Sequence, residues 1–303
     1  MMPPFLEAMR PHQWVKNLLV LAPLFFTALV LDGRAWAAAG LAFGSFCLAA
    51  SSIYLLNDIR DREEDARHPK KRLRPIASGR LPVPAAVATL LATLAGCAAL
   101  AFAVPHRAGS SGHAWHFAIW PASYLLLNIA YSFGLKRLVV IDCMCIALGF
   151  QLRVQAGAAA IDVAASHWLL LCTFFFALFL AFCKRYEEVG RQTEAAGRTR
   201  ATMDDYSVAF LNMMIGPLAA LSILSYSLYT VSPETVKTHG TDRLMYTVPI
   251  VTYGVFRYLF LVYRRSEGGD PARLLFRDIP LMVSGLAYGG LILFLLHGLP
   301  GGS

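Results

Sequence analysis

The 303-residue chain carries a formal net charge of +8, yet only 15% of its residues are charged and 57% are hydrophobic. A soluble globular chain is about 25% charged, so this composition, with a mean hydropathy of +0.53, excludes a water-soluble domain. Apolar runs near the ~20 residues that cross a bilayer recur along the chain, and no soluble domain is left once they are set aside.

In chain order, residues 1–14 hold no short apolar core followed by a small-residue cleavage site, so no signal peptide is expected. Nine spans are predicted, at about 15–31, 36–56, 83–104, 114–133, 138–159, 166–183, 207–230, 245–263 and 279–298. They make one polytopic, all-α transmembrane domain over residues 1–303. Pro23, Pro121 and Pro217 fall inside spans, where neighbours can satisfy the freed carbonyls. The six cysteines (Cys47, Cys97, Cys143, Cys145, Cys172, Cys183) sit in or at the end of apolar runs and read as small apolar helix residues. Nothing near Cys143 and Cys145 completes a tetrahedral zinc site, so neither zinc nor a disulfide is expected.

Charge orients the spans. The face holding the N-terminus and the loops after spans two, four, six and eight carries 20 of the 27 Lys and Arg residues; the other face carries 4. Basic residues mark cytoplasmic loops, which puts the N-terminus inside and the C-terminus outside. The same face holds 14 of the 19 acidic residues. Topology needs only Lys and Arg, so enrichment in both signs points to chemistry on that face.

The strongest constellation follows span two: Asn57, Asp58, Ile59, Arg60, Asp61, Arg62, Glu63, Glu64, Asp65. Asp58, Asp61 and Asp65 are spaced i, i+3, i+7 and share one face if the helix continues. Three neighbouring carboxylates repel unless a cation neutralises them. Oxygen-only donors favour Mg²⁺, which shares its shell with substrate phosphates. A solvated helix end is the plain alternative for such a run, but this one sits where an apolar span meets water, with Asn57 at the boundary.

A basic stretch follows, from His68 through Lys70, Lys71, Arg72 and Arg74 to Arg80. Arg suits bidentate phosphate contacts and Lys binds phosphate as a point charge. An acidic cage beside a basic clamp is what a bound diphosphate requires; the alternative is an ordinary basic loop touching anionic lipid. After span six come Lys184, Arg185, Tyr186, Glu187 and Glu188, then Arg198, Arg200, Asp204, Asp205 and Tyr206. Lys184 and Glu188 are one turn apart, so phosphate and metal contacts can come from one helix; a solvated loop explains these residues equally well.

Isolated residues leave alternatives open. Lys16 either snorkels to the interface or reaches a phosphate. Asp142, one turn into span five, is a functional candidate by its depth or an ion-pair partner of Lys136 or Arg137. Arg153 lies deeper and is expected to snorkel outward. His12 and His68 are read as interfacial fillers.

The stretch 57–65 reads NDxxDxxxD and resembles the first Asp-rich motif of the UbiA-type intramembrane prenyltransferase superfamily. That resemblance implies nine helices around a central cavity with Asp-rich cytoplasmic loops. A closer resemblance runs through RPHQWVKN (10–17), 54–79, NIAYSFGLKR (128–137), CKRYEE (183–188), RYLFLVY (257–263) and GGDPARLLFRDIPL (268–281). It is to the decaprenyl-phosphate phosphoribosyltransferase branch. Members move 5-phosphoribose from phosphoribosyl diphosphate to a polyprenyl phosphate, release diphosphate, and feed arabinose donors for cell-wall arabinan. Ordinary prenyltransferases carry a second DxxxD run after span six; here the basic Lys184-Arg185 replaces it. That departure favours direct phosphate binding and the phosphoribosyl branch.

The expected site therefore has Asn57, Asp58, Asp61 and Asp65 on Mg²⁺, with the three aspartates catalytic. Lys16, Asn57, Arg72, Arg74, Lys184, Arg185 and Glu188 would bind substrate. An acceptor phosphate is already an anion, so no general base is required, in keeping with the lack of a His-centred site. The expected partners are phosphoribosyl diphosphate, a polyprenyl phosphate and membrane lipids, with no nucleic acid; a homo-oligomer stays open. The nearest alternative is prenyl transfer from a prenyl diphosphate to an aromatic or lipid acceptor. A polyprenyl-phosphate flippase would spread charge along a path through the membrane, and an inert scaffold would not need a one-faced carboxylate triad.

Overall fold

The computed structural model describes residues 2–69, 71–105, 117–194, 205–265, 274 and 277–298. Among these the chain is helical, and seven helices are long and apolar enough to cross a membrane: Gly33–Arg60, Val83–Ala103, Ile141–Ala160, His167–Gly190, Val208–Val231, Arg243–Arg264 and Ile279–Leu296. The chain divides into two compact units, residues 1–134 with 151–165, and residues 135–150 with 166–303.

The first unit is organised on α3 (Gly33–Arg60), which follows the short α1 (Pro4–Met9) and α2 (Ala22–Phe25). Asp32 caps α3 by accepting the Arg34 N–H at 2.8 Å, relieving one orphan donor of its first turn. Ala38, Ala42, Ser45, Ala49 and Ser52 recur every three or four residues and are buried. In lipid, such a stripe of small residues lets a second backbone approach closely. The neighbour is α5 (Val83–Ala103), which α4 (Arg62–Arg67) precedes. Ser45 donates to the Cys97 carbonyl at 3.0 Å and Ser52 to Thr93 at 2.9 Å, so hydroxyls stitch the apolar seam. Phe46, Tyr124 from α6 (Ile119–Phe133) and Ala156 from α7 (Ile141–Ala160) complete this core.

Two predicted spans take another form. Residues 15–31 hold the end of a 3₁₀ helix, Pro11–Leu21, then the four-residue α2 and a second 3₁₀ helix, Ala28–Leu31. Pro11 opens that helix and Pro23 lies in α2, and proline disrupts the i to i−4 ladder of a long α-helix. The tight 3₁₀ backbone lies against Gly157: a Cβ there would sit 1.8 Å from the Val20 carbonyl oxygen. The fourth span is reduced to the 15 residues of α6, its predicted start falling outside the described residues.

In the second unit α8 (His167–Glu194) packs on α9 (Val208–Val231), and α11 (Val248–Arg265) on α12 (Ile279–Leu293); the short α10 (Pro233–His239) lies between α9 and α11 in the chain. Phe179, Phe182, Leu211, Ile215, Val255 and Leu261 form its buried core. Arg257, predicted inside a span, grips Asp278 at 3.1 and 2.8 Å, and Asp278 also caps α12 through the Leu281 N–H. Large apolar side chains such as Leu91, Phe102, Leu126, Met213, Phe256 and Leu286 face outward, as lipid contact requires.

Gly157→Ala is expected to destabilise the protein by about 1–3 kcal/mol, the range for overpacking a filled interior, while Gly40→Ala, with nothing within 4 Å, serves as the neutral control. Thermal unfolding in detergent measures both; equal midpoints would show that the close approach is not needed.

Candidate active site

Asp58 lies in the last turn of α3 and Asp65 in α4, and both are buried, at 3% and 1% exposure. A buried carboxylate is tolerated only when paired, and the chain on either side supplies the partners. Arg10, at the left-handed end of α1 (φ 54°), sets Nη2 at 2.6 and 2.9 Å from the two Asp58 oxygens. Its guanidinium also lies over the Tyr54 ring, 4.9 Å from the centroid. Arg74 Nη1 reaches both carboxylates, at 3.0 Å from Asp58 Oδ1 and 2.5 Å from Asp65 Oδ2. Lys71 Nζ is 3.5 Å from the remaining Asp65 oxygen.

Apolar packing folds the loop back so that Arg74 can do this. Ile76 and Leu81 are buried with Ala8, Met9, Leu55 and Ala86. The Leu81 N–H closes on the Pro75 carbonyl at 2.8 Å, and Gly79 takes the positive φ of 75° that the turn needs. Arg80 holds Glu7 bidentately at 2.7 and 2.9 Å. Those hydrogen bonds hold the Glu7 carboxyl below its ordinary range, so this tie between α1 and the loop is present at neutral pH and loosens as acid protonates Glu7.

The triad does not converge as its spacing suggests. The helix breaks at Asp61, between α3 and α4, and the Asp61 carboxylate pairs with Arg60 at 2.8 Å. Arg60 also donates to the Ser132 carbonyl at 3.1 Å. Two of the three aspartates share a cation, and the third points to another. Arg72 is exposed, and Lys16 lies half-buried in the 3₁₀ segment. Next to it, Asn17 is fully buried and accepts from Arg153 Nε at 2.7 Å. Arg153 does not snorkel: it is 7% exposed, donates to the Tyr124 hydroxyl at 2.9 Å and stacks over that ring. The aromatic face and two polar partners hold the cation inward.

The second unit holds its own network. Arg185, 1% exposed, donates from Nε to Asp142 at 2.7 Å and from Nη1 to Glu188. Asp142 thus pairs with Arg185, across two helices, where the sequence offered Lys136 or Arg137. Tyr206 donates to Asp142 at 2.7 Å while accepting the Val140 N–H at 2.7 Å. Burial pushes the Tyr206 phenol above its ordinary range, which keeps it protonated and donating. Val140 sits at φ 70°, a sterically costly state for a β-branched residue that the Tyr206 contact sustains. Lys184 is 3.8 Å from Glu188, one turn on, so that spacing does bring the pair together. Lys70, Arg198, Arg200 and Asp204 lie outside the described residues.

A hard divalent cation fits these residues in kind. The candidate ligand atoms of Asn57, Asp58, Asp61 and Asp65 are all oxygens, and Asn57 Oδ1 is buried without a hydrogen-bond partner. Among the described residues no three His, Cys, Asp or Glu side chains converge on one point: Asp61 turns to Arg60, and Arg74 bridges Asp58 and Asp65. Sequence reasoning placed Tyr206 in the segment after span six and Arg10 in a matched stretch, but gave neither a role. Arg10 opens the RPHQWVKN stretch, but nothing local to it says that α1 will fold onto the end of α3.

Helices of membrane-crossing length carry a carboxylate and arginine cluster at the end of α3, and residues 19–279 match the UbiA prenyltransferase family. The chain belongs to that family. It is 36% identical to a decaprenyl-phosphate phosphoribosyltransferase of Mycolicibacterium smegmatis, over 95% of this chain and 90% of that one. The enzyme of the same name from Corynebacterium glutamicum is 35% identical, over 97% and 87%, and that from Mycobacterium tuberculosis 32%, over 93% and 90%. Among solved structures, a UbiA homolog from Archaeoglobus fulgidus bound to GPP and Mg²⁺ shares the fold, with a TM-score of 0.69 at 19% identity over 95% of this chain and 99% of that one.

Tyr206→Phe removes one hydroxyl and leaves no cavity. It is expected to cost about 1–3 kcal/mol, since Asp142 and the Val140 N–H each lose a buried partner. Thermal unfolding in detergent reads the loss, and an unchanged midpoint would mean that the hydroxyl does not hold the Val140 turn.

Proposed function

We propose that this chain transfers 5-phosphoribose from phosphoribosyl diphosphate to a polyprenyl phosphate of the decaprenyl class, releasing diphosphate. The observation that carries the reading is the near full-length similarity to enzymes of that name, at 32% to 36% identity. The basic Lys184-Arg185 pair after the sixth predicted span supports the same branch. In this reading the product supplies arabinose donors for cell-wall arabinan. The chain crosses the plasma membrane nine times with its N-terminus inside, and the reaction takes place at the cytoplasmic face.

Asn57, Asp58, Asp61 and Asp65 would hold Mg²⁺, which supplies charge neutralisation on the leaving diphosphate. Arg72, Arg74 and Lys16 take phosphate oxygens of the donor. Lys184 adds a further cation, and Arg185 holds the Glu188 carboxylate in place. As the bond from the anomeric carbon to diphosphate breaks, negative charge grows on the departing oxygens and the ribose becomes oxocarbenium-like. Preorganised guanidinium and ammonium groups stabilise that charge best. The acceptor phosphate attacks as an anion, so no side chain has to remove a proton. Apolar helix surfaces keep the polyprenyl tail in the membrane while its phosphate reaches the aqueous edge.

Purified protein in detergent is expected to move label from phosphoribosyl diphosphate to decaprenyl phosphate only with Mg²⁺ present. Asp61→Asn, at a half-exposed position, should retain the fold and lose turnover by about 10²-fold or more. Near-normal activity in that variant would remove Asp61 from the metal site. Turnover of a prenyl diphosphate with an aromatic acceptor, without phosphoribosyl transfer, would assign the chain to the prenyl-transferring branch instead.

A further inference from the structure

Every oxygen of the Asp58 and Asp65 carboxylates already has a cation against it. Asp58 Oδ1 meets Arg10 at 2.6 Å and Arg74 at 3.0 Å, and Oδ2 meets Arg10 at 2.9 Å. Asp65 Oδ2 meets Arg74 at 2.5 Å and Oδ1 meets Lys71 at 3.5 Å. Both carboxylates are nearly shut off from water. A divalent ion arriving alone would have to strip a guanidinium from its oxygens and then sit beside that freed charge. Removing one partner of such a pair is strongly unfavourable when nothing replaces it.

A diphosphate changes this balance, because it brings the anion that the displaced arginine needs. Guanidinium binds phosphate bidentately as well as it binds carboxylate. In a single exchange the arginine passes to phosphate, the carboxylates pass to the metal, and no charge is left unpaired. The two arginines are not equivalent. Arg10 contacts one carboxylate and is stacked on Tyr54, whereas a single Arg74 nitrogen bridges both carboxylates from a loop. Arg74 is also 31% exposed, so phosphate can reach it.

Resting on the metal-diphosphate reading above, we propose that Arg74 is a latch on the metal site: it closes the Asp58–Asp65 pair to a bare divalent cation and opens when a diphosphate takes its guanidinium. Metal and diphosphate then bind with positive coupling, which by linkage is the same in either order.

The test is equilibrium dialysis of Mn²⁺ against the purified full-length protein in detergent, with and without inorganic diphosphate. Any Mn²⁺–diphosphate complex equilibrates across the membrane, so only protein-held metal registers. Wild type is expected to hold Mn²⁺ at least ~10-fold more tightly with diphosphate. Arg74→Gln is expected to bind Mn²⁺ without diphosphate, at least ~10-fold more tightly than wild type, with the coupling reduced to about twofold or less. Arg74→Lys keeps the charge but not the planar fork, so it should fall between them; it decides the matter if Arg74→Gln does not fold. Equal Mn²⁺ affinity of the wild type in both conditions overturns the latch and leaves the metal site standing. Undiminished coupling in the folded variants also overturns it. No retained Mn²⁺ in any protein under either condition overturns the metal reading itself, and the latch with it.

Discussion

A carboxylate at the end of an apolar helix cannot stay buried and charged without a cation in contact, and much of the first unit is arranged around that demand. Asp58 and Asp65 draw in Arg10 from the N-terminal segment and Arg74 from the loop after α4. To deliver those two side chains, α1 lies against α3, and the loop returns over Ile76 and Leu81. The apolar contacts provide the burial, and the burial in turn makes the pairing obligatory. Since a buried ion pair often contributes little net stability compared with an apolar replacement, these pairs are better explained by function than by stability.

The second unit solves the same problem differently. Asp142 is as deeply buried as Asp65, but its cation comes from α8, and its other oxygen accepts from a tyrosine hydroxyl and the Cys143 N–H. Arg185 is consequently anchored rather than free to travel, while the Lys184 side chain is 42% exposed. The sequence reading put Lys184 and Arg185 in one role. Burial separates them into an exposed cation and a fixed support for Glu188.

Membership of the UbiA prenyltransferase family accounts for the helical scaffold and for an Asp-rich segment following an apolar helix. It does not by itself choose between a prenyl and a phosphoribosyl donor, because both donors carry a diphosphate. The choice rests on the near full-length similarity to enzymes named decaprenyl-phosphate phosphoribosyltransferase, with the basic pair at 184–185 in support.

Composition and hydropathy alone determined that the chain is a helical, multi-pass membrane protein, because a bilayer accepts few backbone arrangements and a helix satisfies its own hydrogen bonds. Local spacing also determined the Lys184–Glu188 pair, since i and i+4 meet on any helix. Only tertiary structure decided that residues 11–21 form a 3₁₀ helix against Gly157, that Asp61 parts from Asp58 and Asp65, and that Arg153 faces inward to Asn17 and Tyr124. It alone matched Asp142 to Arg185 and Arg10 to Asp58, which lie 43 and 48 residues apart. The physical reason is that a buried charge has to find a counter-charge somewhere, but which one it meets depends on how the helices pack, and sequence periodicity carries no information about that.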